Sequence, residues 1–377
     1  MSSSVAAPEG PLCDDDLLAG TEDGYALVAQ VQQKAFARTV PFNVSLELTV
    51  DCNIRCLHCY NFDRDEPRRA SESSCGNEKN TSPLSLPEVL ELLGDLREAG
   101  CLYLALTGGE IFSYPHLFAV LDRARELHFA VQLLTNGTLL RPGVAARLAG
   151  YRNLLGLSVS LYGASAAVHD GITQVPGSWR RTWQGIERVR ALGLVVRLKF
   201  IVMRQNAGEV AAMRAAADAG GYPYVLDLTI TSRHDGTSGS LVTRVDDEQL
   251  VALHRGPLRD MITDRDRRPM EEIHPCNCAR GNCAVLSNGD VTPCISVPWP
   301  AGNIREQPFI EIWRTSPVFQ RIRGLHTADY ATCAPCPDKA FCSRPRGAAY
   351  TASGSYTGVD PFVCRTAAVK RRVLEDG

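Results

Sequence analysis

The sequence predicts an α/β fold: a parallel sheet built from six strand–helix units, followed by a smaller cysteine-rich region. Three observations carry this. Strand-like and helix-like segments alternate between residues 42 and 230, and parallel strands joined through helices make right-handed crossovers. The motifs that carry chemistry fall at the C-terminal ends of strands, where barrel enzymes assemble their sites. Beyond residue 273 the periodicity fades and cysteines crowd together. Alternation alone fits an open, partial barrel or a doubly wound sheet, and the motif positions favour the barrel. A chain of 377 residues can bury a substantial core in one large domain plus a smaller one.

Residues 1–40 begin with a Ser/Ala/Pro/Gly tail of disordered composition, then the acidic patch Asp14-Asp15-Asp16 and a helical pattern over Tyr25–Ala37. The barrel is expected over 41–258, with strands at Phe42–Val50, Leu102–Thr107, Val131–Asn136, Leu154–Leu161, Val195–Val202 and Val225–Ile230. Between them run amphipathic helices. Leu86, Val89, Leu90, Leu93 and Leu96 form one apolar stripe, and Trp179, Trp183, Ile186 and Val189 form another. The tryptophans sit on the buried stripe and read as core packing. Asn61–Thr81 is a polar insertion directly after a cysteine loop and reads as a cover over the rim. Residues 259–273 are dense in charge and suit a linker or surface helix, leaving 274–377 as the second domain.

The run Thr49-Val50-Asp51-Cys52-Asn53-Ile54-Arg55-Cys56-Leu57-His58-Cys59-Tyr60 follows the first strand. Its C-x3-C-x2-C spacing offers three thiolates on one short loop. Cubane iron–sulfur clusters are held by cysteine thiolates, and three ligands leave one iron free. Structural zinc takes four ligands in a closed tetrahedron, so it requires His58 or a remote residue to complete the set. Spacing alone leaves both open.

The residues around this loop, with Gly108-Gly109-Glu110 after the second strand, Asn136 and Ser160 at later strand ends and the cysteine-rich C-terminus, make the chain resemble the radical S-adenosylmethionine (SAM) superfamily. The resemblance covers about residues 42–364. It implies a (β/α)6 partial TIM barrel, a [4Fe–4S] cluster on Cys52, Cys56 and Cys59, and SAM chelated to the free iron. It further implies that Glu110 accepts from the SAM amine, that Gly108 and Gly109 allow close backbone approach, and that Ser160 contacts the ribose or carboxylate. Tyr162 stands where many relatives carry Asp. Asn136, in Thr135-Asn136-Gly137-Thr138, matches a third-strand motif of the family and equally reads as an Asn-Gly turn. Arg197 and Lys199 share one face of the fifth strand by period two. If that face is the lumen, Lys199 reaches SAM or an acidic substrate; if it meets a helix, both are snorkelling side chains.

The C-terminal cysteines fall into two groups, Cys276, Cys278, Cys283 and Cys294, then Cys333, Cys336, Cys342 and Cys364. Two Zn(Cys)4 sites suit them physically. The C-x10-G-x4-C and C-x2-C-x5-C spacings, with Phe309–Phe319 between, resemble the SPASM extension, which implies two auxiliary [4Fe–4S] clusters. One departure stands out: Arg346 occupies the place of a further cysteine. Either Cys276 replaces that ligand or the first auxiliary cluster keeps an open iron. Of the 14 cysteines, Cys13, Cys75 and Cys101 lie outside these sets. Cys101 reads as a buried small hydrophobe.

A net charge of −2 gives no nucleic-acid footprint, and no apolar run reaches the length of a membrane span. The N-terminus lacks a signal peptide, so the cysteines point to metal or redox use in the cytoplasm. The resemblance implies reductive SAM cleavage to a 5′-deoxyadenosyl radical and oxidative crosslinking, thioether or carbon–carbon, of a ribosomally made peptide or protein. Implied partners are the peptide, an electron donor such as flavodoxin or ferredoxin, and a separate leader-binding protein, because about 40 residues precede the first strand. The alternatives are a radical dehydrogenase of an aminocyclitol or sugar, and a non-catalytic metal scaffold. No residue stands out as general base.

Overall fold

The computed structural model describes residues 22–61, 82–262 and 276–376. The N-terminal tail with Cys13, almost all of the insertion with Cys75, and most of the charged linker lie outside them.

The chain begins with α1 (Glu22–Ala37) and runs through β1 (Asn43–Thr49), α2 (Leu86–Glu98), β2 (Tyr103–Gly108), α3 (Leu117–Glu126), β3 (Ala130–Thr135) and α4 (Pro142–Leu148). There follow β4 (Leu154–Ser160), α5 (Ala166–Thr173), α6 (Ser178–Ala191), β5 (Val196–Ile201), α7 (Val210–Gly220), β6 (Tyr224–Asp227) and α8 (Asp247–Arg255). Strands β1 to β6 are neighbours in chain order, every pair parallel. This is the partial barrel that the motif positions favour over a doubly wound sheet.

Register explains why the sequence pattern works. Val44, Leu46, Leu104, Leu106, Val131, Leu133, Leu157, Val159, Val196 and Leu198 align across the ladder and share one core with Val89, Leu92, Leu93 and Leu96 of α2 and Ile186 and Val189 of α6. The opposite face is polar. Glu47 pairs with Thr107, Ser158 with Arg197, and Ser160 with Lys199. Gln132 Nε2 donates to Ser158 Oγ at 2.8 Å. Arg197 and Lys199 therefore lie on the face turned away from the helices.

Strand ends match expectation within two residues except at β6, which stops at Asp227. There Asp227 Oδ1 accepts from Thr229 N at 2.7 Å, and the Ile230 carbonyl accepts from the Arg244 guanidinium instead of a strand. Arg244 also grips Asp360, whose Oδ1 accepts from Phe362 N at the start of the C-terminal helix.

The C-terminal region is more regular than its sequence suggests. It contains β7 (Asn282–Val285), β8 (Asp290–Thr292), β9 (Gly302–Asn303), α9 (Phe309–Thr315), α10 (Pro317–Arg323), α11 (Arg346–Ser353) and α12 (Pro361–Glu375). Strand β7 pairs in parallel with β1, so one nine-stranded sheet runs through both parts of the chain. Buried Glu47 accepts from Ser287 N and Oγ across the same junction. Arg305 clasps Glu88 of α2 at 2.6 Å. No helix among the described residues is long and apolar enough to cross a membrane.

Candidate active site

The cysteine loop leaves β1 and is held by backbone bonds to the end of α5: Arg55 N to Thr173 O at 2.9 Å and Leu57 N to Ile172 O at 3.1 Å. A turn closes it, Cys59 N to Cys56 O at 3.1 Å. None of the three cysteines is in a disulfide, and all are partly exposed. Asn136, at the tip of β3, converges on them. Its Nδ2 donates to Asn53 Oδ1 at 2.9 Å and lies 3.8 Å from Cys52 Sγ, while its Oδ1 accepts from Thr138 N and Oγ1. Asn136 is thus both the turn residue and a neighbour of the thiolates.

Gly108 and Gly109 work against this loop. A Cβ on Gly109 would stand 2.3 Å from Asp51 O and 2.5 Å from Val50 O, and one on Gly108 2.2 Å from Thr49 O. The next amides use the close approach: Gly109 N donates to Thr49 O and Glu110 N to Asp51 O, each at 2.7 Å. Glu110 is wholly buried. Its carboxylate accepts from Phe112 N (3.1 Å), Thr135 Oγ1 (2.7 Å) and Asn136 N (2.7 Å), tying the end of β2 to the end of β3. Burial pushes its carboxyl above the ordinary value and the three donors pull it back.

Ser160 and Lys199 stand side by side at the ends of β4 and β5. Tyr162 is buried between Ser160 and Cys56. Burial first, then the Cys56 thiolate, holds its hydroxyl well above the usual phenol range. His58 sets its ring against Tyr162 at 4.7 Å, and His234 packs against Tyr60 at 5.0 Å while donating its backbone N–H to the Tyr60 carbonyl at 2.7 Å. Burial lowers both histidines to about 4, so they are neutral at physiological pH. Sequence reasoning gave no role here to Asn53, Thr135, Thr138 or His234, and noted Tyr162 only as standing where many relatives carry Asp. The Thr-Asn-Gly-Thr run carried a signal for Thr135 and Thr138.

In the C-terminal region Cys276 Sγ lies 3.0 Å from Cys278 Sγ, which in turn neighbours Cys294. Cys283 lies on β7 opposite Val44, buried in the same core as Cys278, with Cys101, Arg323 and Cys294 as its electrostatic neighbours. Cys364 neighbours Cys342, Cys333 and Cys336, bringing the second group together. Cys101 is fully buried and donates to Tyr103 O at 3.2 Å.

The radical SAM superfamily matches residues 46–215, and an iron–sulfur cluster-binding (SPASM) domain matches 276–337. The AdoMet-dependent heme synthase of Methanosarcina barkeri is 31% identical over 352 residues, covering 85% of this chain and 96% of that protein. The chain belongs to the radical SAM superfamily. The mycofactocin maturase MftC of Mycobacterium ulcerans is 25% identical over 330 residues, covering 81% of this chain and 83% of its own. A crystal structure of Streptococcus suis SuiB bound to the precursor peptide SuiA shares the fold: TM-score 0.64 at 16% identity, covering 92% of this chain and 82% of SuiB. This radical SAM protein is an oxidoreductase, and its cofactors are SAM and [4Fe–4S] clusters, one in the barrel and two auxiliary. The donor chemistry fits the first: three thiols outside any disulfide on one loop, with an amide N–H 3.8 Å from one sulfur.

Proposed function

We propose that this radical SAM enzyme oxidatively modifies a ribosomally made peptide or protein, closing a thioether or carbon–carbon crosslink. One observation carries the reading: the three-thiolate loop, Asn136 and buried Glu110 meet at one rim, beside a polar lumen bearing Ser160 and Lys199. When bound, the reduced cluster passes one electron to SAM, and cleavage gives methionine and a 5′-deoxyadenosyl radical that takes a hydrogen atom from the substrate. The residues of the chain do the rest. Cys52, Cys56 and Cys59 hold the cluster. Gly108, Gly109, Glu110, Asn136, Ser160 and Lys199 bind SAM, with Lys199 offering a cation to its carboxylate. Neutral His58 and Tyr162 pack behind the loop and exclude water. The substrate loses a hydrogen atom, a proton and an electron, and the electron leaves through the C-terminal cysteine sites toward an acceptor.

In this assignment residues 41–258 are the barrel, 259–273 a linker and 274–377 the SPASM domain. An external donor such as flavodoxin or ferredoxin supplies the electron, and a separate protein presents the leader. The maturase relative and the peptide-bound SuiB fold support the peptide reading. The heme synthase relative, similar over nearly its whole length, favours a second reading, a small-molecule substrate.

The test is 5′-deoxyadenosine release on reduction, for wild type and Cys56→Ala, with a candidate precursor peptide or an iron porphyrin precursor added. The peptide reading expects release with wild type and a peptide lighter by a pair of hydrogens. Turnover of the porphyrin alone selects the second reading, and equal release from Cys56→Ala sinks both.

A further inference from the structure

We infer that Tyr162 is a positioning residue for the barrel cluster: its hydroxyl takes a hydrogen bond from Ser160 and donates one to the Cys56 thiolate, which makes a cluster on the first loop easier to reduce. The inference rests on the iron–sulfur reading of that loop and names a side chain outside the ligand set that serves it.

One helix holds both partners of the bond. Tyr162 lies two residues beyond β4 and is 7% exposed. Its N–H donates to Nδ1 of His169, on α5, at 3.1 Å, and its carbonyl accepts from Asn206 Nδ2 at 3.0 Å. The next carbonyl, of Gly163, accepts from Trp179 Nε1 at 3.2 Å. The ring is fixed as firmly as the backbone. His58 meets it edge-on at 4.7 Å and 71°, and His169 stacks on it at 5.6 Å. Burial lowers His169 to about 4, so the imidazole is neutral and free to accept through Nδ1, with its proton on Nε2. Cys56 comes to the same place from the loop, whose Arg55 and Leu57 amides donate to the Thr173 and Ile172 carbonyls at the end of α5. There it packs against Tyr162, Ile172, Met203 and Ile230, a small apolar cluster.

Chemistry sets the direction of both bonds. The Tyr162 hydroxyl is hydrogen-bonded to the side chains of Ser160 and Cys56. A metal-bound thiolate has no proton to give and can only accept, whereas a phenol keeps its single O–H at physiological pH. That O–H therefore goes to Cys56, and the Ser160 hydroxyl donates to the phenol oxygen. A hydrogen bond to a cluster sulfur disperses the negative charge that reduction adds, so it favours the reduced state. Apolar surroundings strengthen the bond, and the donor behind the phenol polarises it further. A tyrosine that only filled this core would affect folding and iron loading and leave the potential alone.

The test is a redox titration of the full chain without SAM, followed by electron paramagnetic resonance (EPR) of the reduced protein. The barrel signal is the one missing from a Cys52/Cys56/Cys59→Ala variant. If that variant keeps the iron content and every signal of wild type, the iron–sulfur reading of the loop fails and the inference with it. Tyr162→Phe keeps the ring and removes the hydroxyl. The reduction constant of its barrel cluster should fall about tenfold, about 59 mV for one electron, with iron per chain and the auxiliary signals unchanged. Ser160→Ala keeps the phenol and removes the donor behind it, and should lower the same midpoint by less. A Tyr162→Phe midpoint equal to or above that of wild type, in a protein with full iron, overturns the inference and leaves the cluster assignment standing. Should Tyr162→Phe hold no iron on the first loop, Ser160→Ala decides, and a wild-type midpoint there overturns the inference.

Discussion

Replacing Glu110 by Gln separates holding the rim together from binding SAM. One carboxylate oxygen of Glu110 accepts from Phe112 N and Thr135 Oγ1, and the other from Asn136 N. A glutamine has one acceptor. If it faces Phe112 N, its NH2 meets the Asn136 N–H; if flipped, its NH2 meets the Phe112 N–H. Either way one buried backbone donor is stranded, at a cost of about 1–3 kcal/mol. At this chain length that lowers the midpoint of thermal unfolding by roughly 1–4 °C. Glu110→Ala strands all three donors and costs about 3 kcal/mol or more. The assay is thermal and chemical denaturation of cluster-free protein without SAM, so that any loss reflects the network alone. A Glu110→Gln protein as stable as wild type would refute the stapling of β2 to β3 and leave SAM binding as its sole role.

Arg244→Ala removes a nearly buried pair with Asp360 and should cost about 3 kcal/mol in chemical denaturation. A loss below about 1 kcal/mol would mean that water replaces the guanidinium. Gly109→Ala drives a Cβ onto the Asp51 and Val50 carbonyls and should lower iron retention on the first loop. Unchanged iron per chain would show that the loop tolerates displacement. The Arg305 guanidinium beside Glu88 holds its carboxyl at about 2, below the ordinary 4.5. The stabilisation is therefore complete above the ordinary value and disappears as pH falls through about 2. Denaturation midpoints between those pH values should fall more steeply for wild type than for Glu88→Gln, and parallel curves would refute the coupling.

The barrel was legible because its signals are local. Apolar residues at alternate positions of β1 to β5 mark one buried face, and a two-residue slip would still read as a strand. The cysteine loop was legible because its ligands are neighbours in sequence. What stayed hidden depends on distant partners. Strand β7 has four residues, too few for a period, and its hairpin meets Glu47 from 240 residues away. The network of Glu110 comes from the tip of β3, 25 and 26 residues on.

The pairing of β1 with β7 has a mechanical consequence. Domains joined by a linker usually shift relative to one another, but here the barrel strand that feeds the first cysteine loop is a ladder neighbour of the strand between Cys278 and Cys294. Because β1 and β7 run parallel, with Cys276 and Cys278 before β7 and the first cysteine loop after β1, the separation between the two cysteine regions is set by strand length, about 3.3 Å per residue, rather than by a hinge. Electron passage between them would track driving force and not a docking equilibrium. The same ladder makes the C-terminal part a guard for the barrel: a chain cut before residue 276 would leave the amides and carbonyls of β1 as a bare edge, open to pairing with another copy.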